Sequence, residues 1–364
     1  MQIRFSVIVP VYNRPDEVSE LLESLTHQSF KNFEVIIVED GSNIPCKDVC
    51  LSYENALDIK YFEKKNSGPG QSRNYGAERA SGVFLLILDS DVVLPEGYLQ
   101  AVDDELQRSD TDAFGGPDTA HPSFTDTQKA ISYSMTSFFT TGGIRGGKKK
   151  LDKFYPRSFN MGIRKDVYNK LEGFSKMRFG EDIDFSIRIF KAGYRCRLFP
   201  EAWVWHKRRT DFRKFWRQVY NSGIARINLY KKYPESLKLV HLLPAVFTIG
   251  VFLLSLTALT GLGLMAYGHL ILSSCGNEYA TVPAGYICRG EAMAIIGIIP
   301  LALYTILLCL DSSLQSRSLK VGLLSVPAAF VQLTGYGSGF LSAWWKRCIR
   351  GKDEFQAYEK TFYK

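Results

Sequence analysis

Phe5-Ser-Val-Ile-Val-Pro-Val11 runs into Tyr12-Asn-Arg-Pro-Asp-Glu17, and Val18, Leu21, Leu22 and Leu25 then recur at helical spacing. A short apolar run broken only by Ser6 and Pro10 reads as a strand buried on both faces, the habit of a parallel sheet. Proline and acidic residues next suit the first turn of a helix, with Asn13 or Arg14 just before it. The apolar face of that helix is expected to pack on the sheet. Phe33 to Val38 reads as a second strand ending in Glu39, Asp40 and Gly41, which makes a right-handed strand–helix–strand crossover. Ile59 to Glu63 and Val83 to Leu88 add further strands, the latter ending in Asp89, Ser90 and Asp91. The fold class is therefore α/β: a Rossmann-like, mostly parallel sheet with flanking helices.

The remainder of the 364 residues divides by charge. Residues 1–238 hold 36 Lys plus Arg and 31 Asp plus Glu, whereas residues 239–345 hold six charges in 107 positions. This is a soluble head followed by a membrane region, and the composition excludes a disordered or fibrous chain. The net charge of +8 is spread over both parts and suits anionic lipid or phosphate-bearing ligands without requiring nucleic acid. Seven cysteines form no zinc-type spacing. Only Cys275 and Cys288 fall close enough between apolar stretches for a disulfide, should their loop lie outside the cytosol. The first residues enter a strand with no apolar signal stretch, which predicts a cytosolic head.

Open parallel sheets bind ligands beyond the C-terminal ends of their strands, where Asp40, Asp89 and Asp91 converge. One aspartate there is usually a turn former or helix cap. Two carboxylates at i, i+2 beyond a buried strand are costly to hold close unless a cation shares them, and hard oxygen ligands suit Mg2+ or Mn2+. Arg73 follows Gly68, Pro69 and Gly70, so a tight turn can bring a guanidinium fork to a phosphate; a salt bridge at a helix start is the other reading. The helix after it carries Gly76, expected to permit close packing on the sheet.

Five segments in this order resemble family 2 glycosyltransferases of the GT-A fold, over roughly residues 4–230: Ser6-Val-Ile-Val-Pro-Val-Tyr-Asn13, Val38-Glu-Asp-Gly-Ser42, Asn66-Ser-Gly-Pro-Gly-Gln-Ser-Arg-Asn-Tyr-Gly76, Leu88-Asp-Ser-Asp91 and Gly180-Glu-Asp-Ile-Asp184. The resemblance implies that Pro10, Tyr12 and Asp40 line a nucleotide base pocket and that Arg73 helps hold the nucleotide. It makes Asp89 and Asp91 the Asp-x-Asp pair at ribose and metal, with Asp91 the preferred direct ligand. Spacing alone makes Glu181 and Asp182 dipole-matching residues in a first helical turn. The resemblance instead makes Asp182 the general base for the acceptor hydroxyl, with Glu181 as runner-up. A lone His206 at the end of the Trp203–His206 strand reads as a surface or packing residue, and the resemblance implies a metal ligand. The implied activity is inverting, metal-dependent transfer of one sugar from a nucleotide-diphospho-sugar, with uridine diphosphate favoured, to a lipid-linked or cell-surface glycan. A polyprenyl-phosphate acceptor and a non-catalytic sugar-nucleotide sensor are the alternatives.

Residues 112–158 are expected to form an acceptor loop, with Gly142, Gly143, Gly146 and Gly147 around Arg145 and a solvated Lys148–Lys150 cluster. Arg208 to Arg226 mixes aromatic and basic residues, fit either for an interface helix beside a bilayer or for core packing. Its Phe215-Trp-Arg-Gln-Val-Tyr220 departs from the Gln-x-x-Arg-Trp element of processive synthases, which favours single transfer. The predicted organisation is a head at 1–230, a membrane region at 231–345 with apolar segments near 240–270, 292–310 and 321–345, and a basic tail at 346–364. Arg289, Glu278 and Glu291 are placed in the turn between the first two segments. Basic flanks predict a multi-pass protein, in a bacterial inner membrane, with its head in the cytosol. The third segment, holding Pro327, Gly335, Gly337 and Gly339, either crosses or is re-entrant.

Overall fold

The computed structural model describes residues 2–119, 123–141, 154–177, 179–207, 210–275 and 281–354. The chain forms two compact units, one of residues 1–124, 148–208 and 353–364, the other of residues 125–147 and 209–352. The first contains β1 (Phe5–Val11), α1 (Pro15–Thr26), β2 (Phe33–Asp40), α2 (Lys47–Tyr53), β3 (Ile59–Lys64), α3 (Pro69–Arg79), β4 (Phe84–Leu88), β5 (Val92–Val93), α4 (Tyr98–Arg108), β6 (Ala113–Gly115) and β7 (Asp118–Thr119). The second unit contributes α5 (Asp126–Thr136) and α6 (Phe138–Thr141) before the chain returns to the first as β8 (Asn160–Arg164), α7 (Lys165–Lys170), α8 (Glu181–Lys191), β9 (Cys196–Leu198) and β10 (Val204–His206). The second unit then takes α9 (Phe212–Lys232), α10 (Leu243–Cys275), α11 (Thr281–Ser316) and α12 (Leu319–Trp344).

In the first unit a seven-stranded sheet runs β3-β2-β1-β4-β8-β6-β9, and a small sheet runs β5-β10-β7. Strands β3, β2, β1 and β4 are parallel, which brings the ends of β1, β2 and β4 to one edge; β8 is antiparallel to β4 and β6. Side-chain alternation along β1 fills two cores. Val7, Val9 and Val11 pack with Val18, Leu21, Leu22 and Leu25 of α1, while Ile8 faces Ala77 of α3 and Phe185 of α8. Gly76 is where α3 meets the sheet: a Cβ there would lie 2.7 Å from Ile8 Cγ2 and 3.2 Å from Val38 Cγ2. The α/β sheet with flanking helices is the architecture expected from the apolar strand runs.

The region between β7 and β8 differs from the expected loop. Its described part includes α5, started by a capping box in which Thr125 Oγ1 accepts from Gln128 N while Gln128 Oε1 accepts from Thr125 N. The Gly142–Gly147 cluster, Arg145 and Lys148–Lys150 lie outside the described residues.

Among the described residues, three helices of the second unit are long and apolar enough to cross a membrane: Leu239–Ser274, Thr281–Ser316 and Leu319–Ile349. Arg289 and Glu291, expected in a turn, belong to α11 instead. A helix of 36 residues is about 54 Å long, against roughly 30 Å of hydrocarbon, so its first turns can carry charge outside the apolar layer. Cys288 also lies within α11, and the side chain of Cys275 lies outside the described residues. The segment holding Pro327 is one continuous helix of 26 residues.

Candidate active site

The carboxylates at the strand ends have different partners. Asp40 ends β2 and is buried, with Oδ1 accepting from Ser67 N and Oδ2 from Gly68 N, both at 2.9 Å, and with Lys64 Nζ paired to it. Both oxygens therefore brace the turn into α3. Gly68 makes that turn at φ 87°, a left-handed conformation that glycine adopts without steric cost. Near it, Pro10 is half-buried and Tyr12 is 45% exposed, so the Tyr12 ring presents a face to solvent. Asn13, at φ 55°, accepts from Asn43 N and Ile44 N at 2.8 and 3.1 Å and donates its own N–H to Ser42 Oγ. Ser42 in turn is bonded to Glu39, so the loops after β1 and β2 are tied together.

The turn after α3's glycine delivers Arg73, which is 3% exposed. Its Nη2 donates to Asp89 Oδ1 at 2.8 Å and its Nη1 to Glu181 Oε1 at 3.1 Å. Arg73 thus joins the Asp-x-Asp segment to the first turn of α8, and its guanidinium lies 5.2 Å from the Phe174 ring centroid. Burial raises the Glu181 carboxyl above its usual range, Arg73 opposes the rise, and neighbouring Asp182 adds to it. Asp182 is held differently. Arg157 Nε lies 2.9 Å from Asp182 Oδ2, and Ile183 N donates to Oδ1 at 2.8 Å.

Asp91 is buried beyond β4. Arg14 Nη1 donates to its Oδ2 at 2.7 Å, and His206 Nε2 lies 3.3 Å from its Oδ1. On the ring's other side His206 Nδ1 lies 3.6 Å from Asp118 Oδ2, while Phe159 stacks on the ring at 4.7 Å between centroids. Burial alone would lower the imidazole's proton affinity, but Asp118 and Asp91 outweigh it and raise the pKa to about 9. Burial likewise works against ionisation of Asp91, yet His206 and then Arg14 hold it well below the usual carboxylate range.

Asp89, Asp91 and His206 each place a ligand atom within 4.8 Å of the others. Two carboxylates and an imidazole fit Mn2+, and the carboxylates alone suit Mg2+. The protonated ring and Arg14 supply positive charge around Asp91, and His206 must lose its proton to ligate a metal.

Sequence reasoning singled out Asp89, Asp91, Arg73, Glu181 and His206, and the structure places them in two bonded sets, Asp89 and Glu181 through Arg73 and His206 with Asp91, which come within 4.8 Å of each other at Asp89, Asp91 and His206. It missed Arg14, Asp118, Arg157 and Lys64 as partners. Arg14 and Asp91 lie 77 positions apart, and no short motif spans that interval. Only Arg14's place beside the quoted Tyr12-Asn13 segment, at the end of β1, was a signal.

Beyond the strand ends the site gathers carboxylates, an imidazole and a buried arginine. Residues 6–172 match the model for glycosyl transferase family 2. An uncharacterized glycosyltransferase of Rickettsia felis is 33% identical over 137 residues, 38% of this chain and 22% of that protein. The poly(ribitol-phosphate) beta-N-acetylglucosaminyltransferase TarS of Staphylococcus aureus is 41% identical over 93 residues, 24% of this chain and 16% of that one. The chain thus spans less than a quarter of the length of these relatives. The mannosyltransferase PcManGT of Pyrobaculum calidifontis, solved with GDP-Man and Mn2+, shares the fold at TM-score 0.53 and 17% identity, over 81% of this chain and 88% of that one.

Proposed function

We propose that the protein is a membrane-anchored, inverting glycosyltransferase that moves one sugar from a nucleotide-diphospho-sugar, uridine diphosphate first, to a lipid-linked or cell-surface glycan. The observation that carries this reading is Arg73, which couples the Asp-x-Asp segment to Glu181 beside Asp182. Donor recognition falls to Tyr12, whose exposed ring can stack on a base, with Pro10 beside it and Asp40 bracing the adjoining turn. Asp89, Asp91 and His206 would hold Mg2+ or Mn2+. When bound, that ion supplies charge neutralisation for the departing diphosphate. Arg73 adds a fixed positive group on the same side. Asp182 accepts the proton of the attacking hydroxyl as the new glycosidic bond forms and the sugar–phosphate bond breaks, and a single displacement inverts the anomeric carbon. Glu181, buried and bonded to Arg73, is better suited to positioning that guanidinium than to acting as base. The match to TarS supports a glycan-type acceptor. Lys231, Lys232 and Lys238 before the first apolar helix support a cytosolic head.

A second reading has a specific observation behind it. Asp182 is paired to Arg157 and to its own following N–H, which suits an acceptor needing no base, such as a polyprenyl phosphate. Release of nucleotide diphosphate is the test, with Asp182→Asn compared on hydroxyl and polyprenyl-phosphate acceptors. The first reading expects a loss of about 10²–10⁴-fold on the hydroxyl acceptor with donor binding intact. Undiminished turnover on the phosphate acceptor would select the second.

A further inference from the structure

The second unit contains three helices of membrane-crossing length, yet they are not equivalent. Helices α10 and α11 pair along their length: Gly297 closes on Leu254 and Ala258, Gly261 on Gly290 and Ala294, and Gly268 on Pro283 and Ile287. Helix α12 is the least apolar and the most buried of the three. Its seats on that pair lie near one end. Gly322 closes on Cys309 and Ser313, Ser325 Oγ is 2.6 Å from Ser312 Oγ, and Phe330 meets Tyr304 and Phe247. Seven residues further along, Gly337 meets Pro244 and Thr248, the first turns of α10. A helix running antiparallel to α11 as a third span would by then have advanced about 10 Å deeper. Instead α12 stays at the mouth of the pair.

Its other flank carries polar helices. Gly335 packs on Trp216 and Val219 of α9, Gly339 on Tyr220, Gly223 on Tyr336 and Phe340, and Arg347 bonds Asn228. At the opposite end Lys320 pairs with Asp126 of α5, and Ala328 joins Ala130, Ile131 and Phe215 in one apolar cluster. Were α12 to cross the hydrocarbon, α9 would be carried in beside it with Arg217 and Arg226. Each such arginine is costly at the centre of a span. Leu319, Leu323, Trp344, Trp345 and Ile349 are exposed and apolar, the tryptophans next to Lys346 and Arg347. Aromatic rings beside basic residues are the composition of the bilayer's interfacial layer.

We propose that α12 does not cross the bilayer but lies in its interfacial layer, contacting lipid through these exposed side chains while α5 and α9 cover its opposite flank. The α10–α11 pair then makes two crossings, and residues 346–352 emerge on the same side as residues 231–238. The inference rests on the membrane-anchored reading alone and not on the reaction.

Full-length protein in sealed vesicles, tagged in parallel at either terminus, gives the topology by protease accessibility. Both tags on one side are expected, and tags on opposite sides overturn the proposal. Because a re-entrant helix would also return to the same side, a second measurement is depth by nitroxide accessibility to oxygen and a nickel chelate. Labels are placed at Leu319, Leu323, Ser338 and Trp345 in a cysteine-replaced chain that still inserts. Similar shallow depths at all four are expected. A deep minimum at Leu323 or Ser338 overturns the in-plane placement.

Discussion

Arg73 Nη2 lies 2.8 Å from Asp89 Oδ1, so a cation that is 3% exposed fixes the first carboxylate of the Asp-x-Asp segment. The same guanidinium holds Glu181, and removal of its charge leaves two carboxylates without compensation. Arg73→Met should lower stability by about 3–5 kcal/mol and abolish nucleotide-diphosphate release. Adding Glu181→Gln should restore part of the melting temperature but none of the turnover. Thermal unfolding and activity of the single and double variants check this; an unchanged melting temperature in Arg73→Met counts against the pairing.

Asp118 orients the imidazole that shares Asp91. Carboxylate partners of ligating histidines typically affect metal affinity 10–100-fold, so Asp118→Ala should weaken Mn2+ binding by about that factor. Asp91→Asn should remove binding measurable by manganese paramagnetic resonance. Equal affinity in all three proteins would separate this cluster from metal binding.

Gly76→Ala sets helix propensity against packing. Alanine is worth about 1 kcal/mol over glycine in a helix interior, but its Cβ would meet Ile8 Cγ2 at 2.7 Å, where a stiff β-branched side chain in the sheet has little room to yield. Overpacking of this kind costs about 1–3 kcal/mol, so the net effect is expected to be destabilising in urea titration.

Acid sensitivity should trace partly to Glu34. Burial opposes its ionisation, yet Lys60, Ser6 Oγ and Ser81 N hold its carboxyl below the usual range. A carboxyl with a folded pKa below its unfolded value, about 4.3, stabilises the chain fully above that value and loses the contribution as pH falls through the folded value. Glu34→Gln should therefore be less stable than the native chain at pH 7, by about 1–3 kcal/mol, with the difference shrinking below pH 4. Urea midpoints across pH 3–7 measure it; a gap that widens in acid would contradict the sign.

The parallel sheet was legible because Phe5–Val11 and Phe33–Val38 are short uninterrupted apolar runs, and the Asp-x-Asp segment followed from where β4 had to stop. Helix α8 was legible because Glu181 and Asp182 precede an apolar face. Helix α5 was not: its apolar residues are diluted by Ser, Thr and Gln, although Thr125-x-x-Gln128 was a start signal available in the sequence. The extent of α11 was misread because Arg289 and Glu291 look like turn residues until a helix longer than the apolar layer is considered. Arg14, Asp118 and Arg157 stayed hidden for a general reason. Ion pairs across distant strand ends leave no periodicity, and only the closed sheet brings their partners into range.

The tie between Asn13 and the backbone of Asn43 and Ile44 bears on how a visitor is received. The segment that presents Tyr12 is stitched to its neighbour loop through Ser42 and Glu39. Whatever settles on that ring meets a finished doorway and need not assemble one on arrival. Entry there should be quick and nearly free of backbone reshaping, leaving any slow rearrangement to other parts of the molecule.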